Sequence, residues 1–168
     1  MAFEGIAGQE RAVALLTAEL KRGLVPHAYL FVGPEGVGRV ALARELGSIL
    51  LCEEPGQRRC SGANPCRSCR LMAEGEHPDY VETGVPEKRQ SLPISTIRNL
   101  QEKASLKPTA GDLRVFVIRE AERMTMEAAN CFLKTLEEPP GSCYFILVTT
   151  GLRDVPETIV SRCRQLKL

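Results

Sequence analysis

The stretch Leu30-Phe31-Val32-Gly33-Pro34-Glu35-Gly36-Val37-Gly38-Arg39-Val40-Ala41-Leu42-Ala43 constrains the fold of this 168-residue chain more than any other. An apolar run leads into a glycine-rich turn, and the turn opens a segment with the apolar spacing of a helix. Gly33 and Gly38 fit the spacing G-x-x-x-x-G-K-[ST]. A loop of that kind wraps backbone N–H groups around phosphates at the positive end of a helix. The next two letters depart from it. Arg39 stands in the lysine position and keeps a cation without the compact ammonium. Val40 stands in the Ser/Thr position and has no hydroxyl to offer Mg²⁺. The expectation is a nucleotide-site fold whose own catalytic centre has been dismantled.

The flanking segments alternate. Gln9–Arg22 carries a helical stripe stopped by Gly23, and His27–Val32 reads as the first strand. Helix two runs from Gly38 to about Leu51. A second strand is expected at His77–Glu82, then a helix from Pro93 to about Ser105. A buried strand follows at Arg114–Ile118, with a helix over Met126–Leu136 capped by Thr125. Tyr144–Val148, a short helix over Pro156–Ser161 and a last strand from Arg164 close the order. Strands alternating with helices predict a parallel sheet covered on both faces. The length suits one domain. His27 reads as structural, and Cys131 and Cys143 as small core residues.

Composition excludes several classes. A net charge of +1 gives no large field for steering onto nucleic acid or membrane. With no tryptophan and 5% aromatics, stacking platforms for single strands are not evident. No apolar run approaches the length of a bilayer span. Met1–Gly5 lacks the basic and apolar regions of a signal peptide. Seven cysteines without such a signal point to a reducing compartment, hence a cytoplasmic protein.

Four of those cysteines, Cys52, Cys60, Cys66 and Cys69, share a polar stretch extending to Leu71. The pair Cys66-Arg67-Ser68-Cys69 has knuckle spacing, which lets two thiolates approach one ion. A structural Zn²⁺ would supply apparent binding energy of ~10–16 kcal/mol to a loop with little core of its own. Four ligands leave no open position, so such a metal is structural. Four free thiols, or a redox pair at 66 and 69, are the alternatives. His77 is a fifth candidate ligand, read more simply as a strand-edge histidine.

At the end of the strand Arg114–Ile118, a phosphate-loop ATPase would place an aspartate for the metal and a glutamate to polarise water. Here these positions are Arg119 and Glu120. The change at 119 swings the local charge by two units. Each unit pair near a divalent cation is worth ~4 kcal/mol at contact distance and an effective dielectric of ~20. With Val40, this makes bound ATP and Mg²⁺ unexpected.

Three segments carry a resemblance. Ala128-Ala129-Asn130-Cys131-Phe132-Leu133-Lys134-Thr135-Leu136-Glu137-Glu138-Pro139-Pro140, then Thr149-Thr150, then Thr158-Ile159-Val160-Ser161-Arg162-Cys163, resemble the bacterial DNA polymerase III clamp-loader subunits. The family also carries a four-cysteine zinc insertion after the first helix of its nucleotide fold. Its gamma/tau branch keeps a working phosphate loop and acidic pair. Its delta-prime branch has lost them, and Arg39, Val40 and Arg119 place this chain closest to that branch.

The resemblance implies an AAA+ domain, a five-stranded parallel sheet with helices on both faces, spanning residues 1–168 with a zinc module over about 52–71. A lid and a helical collar domain would follow in such a protein and are absent from this chain. Zinc would sit on Cys52, Cys60, Cys66 and Cys69, although Ser61–Pro65 makes the interval after Cys60 longer than the family pattern. Arg162 would be a finger pointed at ATP in a neighbouring gamma-type subunit. Gly33, Gly36, Gly38, Arg39, Val40, Arg119, Glu120 and Thr150 would form a vestigial nucleotide site. The implied partners are gamma/tau-type and delta-type subunits, and through them the sliding clamp and primed DNA. An active gamma/tau-type ATPase, or a zinc-ordered nucleic-acid module, are the competing expectations.

Overall fold

The computed structural model describes residues 3, 6–54, 60 and 64–168. Parts of the N-terminal segment and of the loop between Cys52 and Cys66 therefore lie outside the described residues. The elements are α1 (Glu10–Arg22), β1 (Ala28–Val32), α2 (Arg39–Leu51), α3 (Arg67–Glu74), β2 (Tyr80–Thr83) and α4 (Ile94–Ser105). After them come β3 (Arg114–Ile118), α5 (Met126–Glu137), β4 (Cys143–Thr149), α6 (Glu157–Val160) and β5 (Arg164–Lys167).

The five strands form one sheet in the order β2-β3-β4-β1-β5. Every pairing is parallel, with Leu30 beside Leu147 and Phe116 beside Phe145. The expected doubly covered sheet is what the chain builds. All five residues of β3 are buried, as a strand covered on both faces requires. Alternate side chains feed two cores. One face packs Leu30, Phe116, Phe145 and Leu147 against Ile97, Leu100 and Phe132 of α4 and α5. The other packs Phe31, Val115, Val117 and Ile146 against Leu16, Leu42 and Leu46 of α1 and α2. Phe116 and Phe145 stack with centroids 5.2 Å apart, and Phe132 meets Phe145 edge-on.

Three local features differ from the sequence expectation. β2 starts at Tyr80 and runs to Thr83, because His77-Pro78-Asp79 is a turn closed by the Tyr80 N–H on the His77 carbonyl. The polar cysteine stretch contains a helix, α3, started by Cys66, whose sulfur accepts the Cys69 N–H, and stopped by Gly75. Cys131 is half-buried at the core margin, its thiol 3.3 Å from Gln101 Oε1. Cys143 is fully in the core, as expected. His27 is structural in its contacts, bonding the Leu136 carbonyl at 3.1 Å.

A buried ion pair that periodicity gave no sign of fixes the connection from α4 to β3. Asp79 is fully buried and lies 2.8 Å from Arg114 Nη2. It also accepts the Thr109 and Ala110 N–H groups, and Arg114 donates to the carbonyls of Lys103 and Lys107. Burial works against the charge. The Ala110 and Thr109 donors and the Arg114 guanidinium outweigh it and hold the Asp79 carboxyl below its ordinary range. Among the described residues, no helix is long and apolar enough to cross a membrane.

Candidate functional site

β1 runs into the glycine loop at the C-terminal edge of the sheet, where open α/β sheets bind ligands. Gly36 and Gly38 take φ of 81° and 94°, the left-handed region that glycine enters without penalty. Gly33 is required for a different reason. A Cβ there would lie 2.9 Å from Val37 Cγ1 and 3.0 Å from the Leu168 carbonyl oxygen. The loop is pinned from α1 by Gln9, whose amide donates to the Val37 carbonyl at 3.3 Å. α2 then begins with no side-chain cap and no acidic residue in its first turn, so its positive end is not neutralised by its own sequence.

The structure brings Arg39, Val40, Arg119, Glu120 and Thr150 around one cleft of about 430 Å³, with Glu35, Glu122 and Arg123. Arg119 leans over β2 and pairs with Glu82 at 3.4 Å. Glu120 sits at φ 56° and ψ 45°, a strained conformation for a non-glycine residue. Its two oxygens are spent on the Val85 N–H at 3.3 Å and on Arg123 at 3.0 Å. Thr150 donates both its N–H and its hydroxyl, at 3.2 and 2.8 Å, to Glu122. Burial opposes ionisation of Glu122, but its own backbone and Thr150 hold its carboxyl below the ordinary range. Glu122 carries no motif signal, because its role depends on β4 arriving beside the turn that follows β3. Chemically the cleft mixes three arginines with three glutamates and offers no hydroxyl at position 40. Among the described residues its carboxylates do not converge into a group that could hold a metal.

Arg162 lies away from this cleft, just after α6. Its guanidinium donates to Glu137 Oε1 at 2.6 Å and to the Thr158 carbonyl at 2.9 Å, while remaining about a third exposed. Glu137 ends α5 in the sequence Leu136-Glu137-Glu138-Pro139-Pro140.

The four cysteines are a second constellation, at the other end of α2. Cys52 follows the last residue of α2, and Cys66 and Cys69 bracket the first turn of α3. Cys52 Sγ is 3.8 Å from Cys60 Sγ and 3.9 Å from Cys66 Sγ, and all four sulfurs lie within 4.8 Å of one another. Sulfurs around a tetrahedral Zn²⁺ at ~2.3 Å stand ~3.8 Å apart, so the donor set and its spacing fit that ion. Cys60, set in the interval longer than the family pattern, joins the cluster and accepts the Cys66 N–H at 3.0 Å. Ser61, Gly62 and Ala63 lie outside the described residues. Burial opposes ionisation of Cys66, but the Cys69 and Glu53 backbone and the neighbouring thiols bring it down to about 7. Burial pushes Cys52 and Cys69 up, so Cys66 ionises more readily than either. His77 is not part of the cluster. It is buried, with Nε2 on Ser68 Oγ at 3.0 Å.

Comparison with known proteins follows the same lines. The family model described as DNA polymerase III, delta subunit, matches residues 8–168. The delta' subunit of DNA polymerase III from Escherichia coli K12 is 38% identical over 151 residues, covering 89% of this chain and 44% of that protein. The tau subunit from Bacillus subtilis 168 is 35% identical over 164 residues, covering 97% of this chain and 28% of that protein. A crystal structure of a DNA polymerase III gamma subunit-related protein from Thermotoga maritima superposes with TM-score 0.62 at 21% identity, over 94% of this chain and 45% of that one. The RuvB Holliday junction branch migration motor of the same organism gives 0.57 at 20% identity, over 96% of this chain and 45% of that one. At such identities the two structures speak to fold alone. The chain spans less than half the length of each of these relatives. The chain therefore belongs to the DNA polymerase III delta subunit family, with the AAA+ fold of the clamp-loader proteins.

Proposed function

We propose that this chain is the nucleotide-fold part of a DNA polymerase III clamp-loader subunit of delta-prime type, which supports assembly and does not itself hydrolyse ATP. The observation that carries this reading is the cleft at the start of α2. Val40 and Arg119 occupy the two positions where a phosphate-loop ATPase keeps its metal-holding hydroxyl and carboxylate, and Glu120 is tied to Val85 and Arg123. A cleft of this make-up leaves nucleotide chemistry to a neighbouring gamma/tau-type subunit. Delta-type subunits would complete the loader, and the sliding clamp and primed DNA would be met through the complex.

In this reading Arg162 is the residue offered to the neighbour's ATP. A guanidinium is permanently charged and can fork onto two phosphate oxygens. Its bond to Glu137 holds it at the surface until a more strongly charged acceptor competes. In the same reading the four cysteines would hold a structural Zn²⁺, their four thiolates leaving no open position on it.

The test is reconstitution of the loader with gamma/tau-type and delta-type subunits, comparing wild type with Arg162→Ala. The variant is expected to assemble while turnover at the adjoining ATP site falls by ~10³-fold or more. Normal turnover by an assembled variant removes the finger. The tau relatives favour a second reading, an active gamma/tau-type ATPase subunit. Calorimetric titration of the chain with Mg-ATP separates the two, since only the second gives a Mg-dependent isotherm.

A further inference from the structure

Ser68 lies between two of the four clustered cysteines in sequence and is almost fully buried, and its side chain takes part in a chain of hydrogen bonds. Its N–H and its Oγ both meet Glu53 Oε1, at 3.2 and 3.1 Å. On the other side Ser68 Oγ is 3.0 Å from His77 Nε2. The Asp79 N–H donates to His77 Nδ1 at 3.1 Å, so that nitrogen is an acceptor. A neutral imidazole then carries its proton on Nε2 and donates to Ser68, whose own proton goes to Glu53. The chain therefore has one direction, from His77 through Ser68 to Glu53.

What it joins gives it a purpose. Glu53 follows Cys52 at the end of α2, Ser68 sits in the first turn of α3 beside Cys66 and Cys69, and His77 leads into β2. Cys52 and the Cys66–Cys69 pair come from segments 14 to 17 residues apart in the chain. The Glu53–Ser68 bonds tie those segments directly, and His77 anchors the tied unit to the sheet. Groups behind the ligands of a metal site orient those ligands, and losing one typically costs 10–100-fold in metal affinity.

We propose that Ser68, with Glu53 and His77, is a positioning device that sets Cys52, Cys66 and Cys69 for metal before it binds. This rests on the reading of the four cysteines as a metal site. None of the three residues touches the ion in this account; they hold the backbone that carries the thiols.

The experiment measures Zn²⁺ affinity of the chain by competition with a chromophoric chelator, and the thiolate charge-transfer and d–d bands after Co²⁺ loading. Ser68→Ala and Glu53→Ala are expected to bind Zn²⁺ ~10–100-fold more weakly and to shift the Co²⁺ bands. Glu53→Gln keeps an oxygen acceptor for both bonds and is expected to bind as wild type does. The double variant Ser68→Ala with Glu53→Ala should be no worse than the weaker single one, because both remove the same link. Glu53 is exposed, so its variants fold even where Ser68→Ala does not. A folded Ser68→Ala or Glu53→Ala with native affinity overturns the device while leaving the metal site standing. Glu53→Gln falling with Glu53→Ala also overturns it. A wild-type chain that takes up neither ion removes the metal reading, and the device with it.

Discussion

The two ends of α2 carry groups of opposite character. At its start, Arg39, Val40, Arg119 and Glu120 share a cleft, but Arg119 pairs with Glu82 and Glu120 with Arg123, and among the described residues no set of carboxylates converges. At its end, about 20 Å away by the rise of a 13-residue helix, four sulfurs converge to within 4.8 Å. In the proposed reading, one end keeps the backbone of a binding site without the side chains for its metal. The other has the side chains and a supporting hydrogen-bond chain. A helix with a competent loop geometry is thus no guide to chemistry, which resides in the few side chains that ring it.

The largest effect is expected at the cysteine end of α2. Cys66→Ala, or chelation of bound metal, is expected to remove most of an apparent ~10 kcal/mol of ordering from that segment. Neither core cluster draws on Cys52, Cys60, Cys66 or Cys69. Hydrogen exchange should therefore report loss of protection confined to α3 while the strands stay protected; loss across the sheet would show that the module is no separate unit. Asp79→Ala gives the contrasting, global effect. It strands Arg114 in the interior and is expected to cost about 3–5 kcal/mol in urea unfolding.

At the loop end the missing groups can be restored. Val40→Thr combined with Arg119→Asp should gain Mg-dependent ATP binding of tenfold or more over the parent, ~1.4 kcal/mol, with neither change sufficient alone. A silent double variant would assign the exclusion to the cleft's shape.

The smallest effect is a pH dependence at His77. Burial holds its imidazole below its ordinary value; the Asp79 and Glu53 charges oppose this and Arg67 adds to it. The folded chain then binds fewer protons than the unfolded one just below pH ~6.5. Stability is full above that pH, falls as the solution is acidified through it, and levels off below the folded value. His77→Gln should flatten that limb of a melting-temperature profile between pH 7 and 5.

Much of the fold was legible because its signals are local. Buried runs such as Val115–Ile118 and Phe145–Val148 have no choice but a strand covered twice, and Gly23, Thr125 and the Pro139-Pro140 pair end or begin helices by chemistry local to the chain. α3 is not legible in the sequence because only eight residues form it and its cap is a cysteine sulfur. The start of β2 moved because Asp79 takes its partners from residues 30 to 35 positions away.

The amino-acid sequence determined which side chains exist to act: no hydroxyl at 40, a cation at 119, four cysteines with one knuckle pair, an arginine between Ser161 and Cys163. Residue identity settles such matters without a fold. Only the tertiary structure decided what those groups face. Glu122 became the partner of Thr150, Glu137 that of Arg162, and Ser68 the link between Glu53 and His77. A hydrogen bond reaches about 3 Å while these pairs lie 9 to 28 residues apart, so packing of the sheet and its helices is what closes the gap.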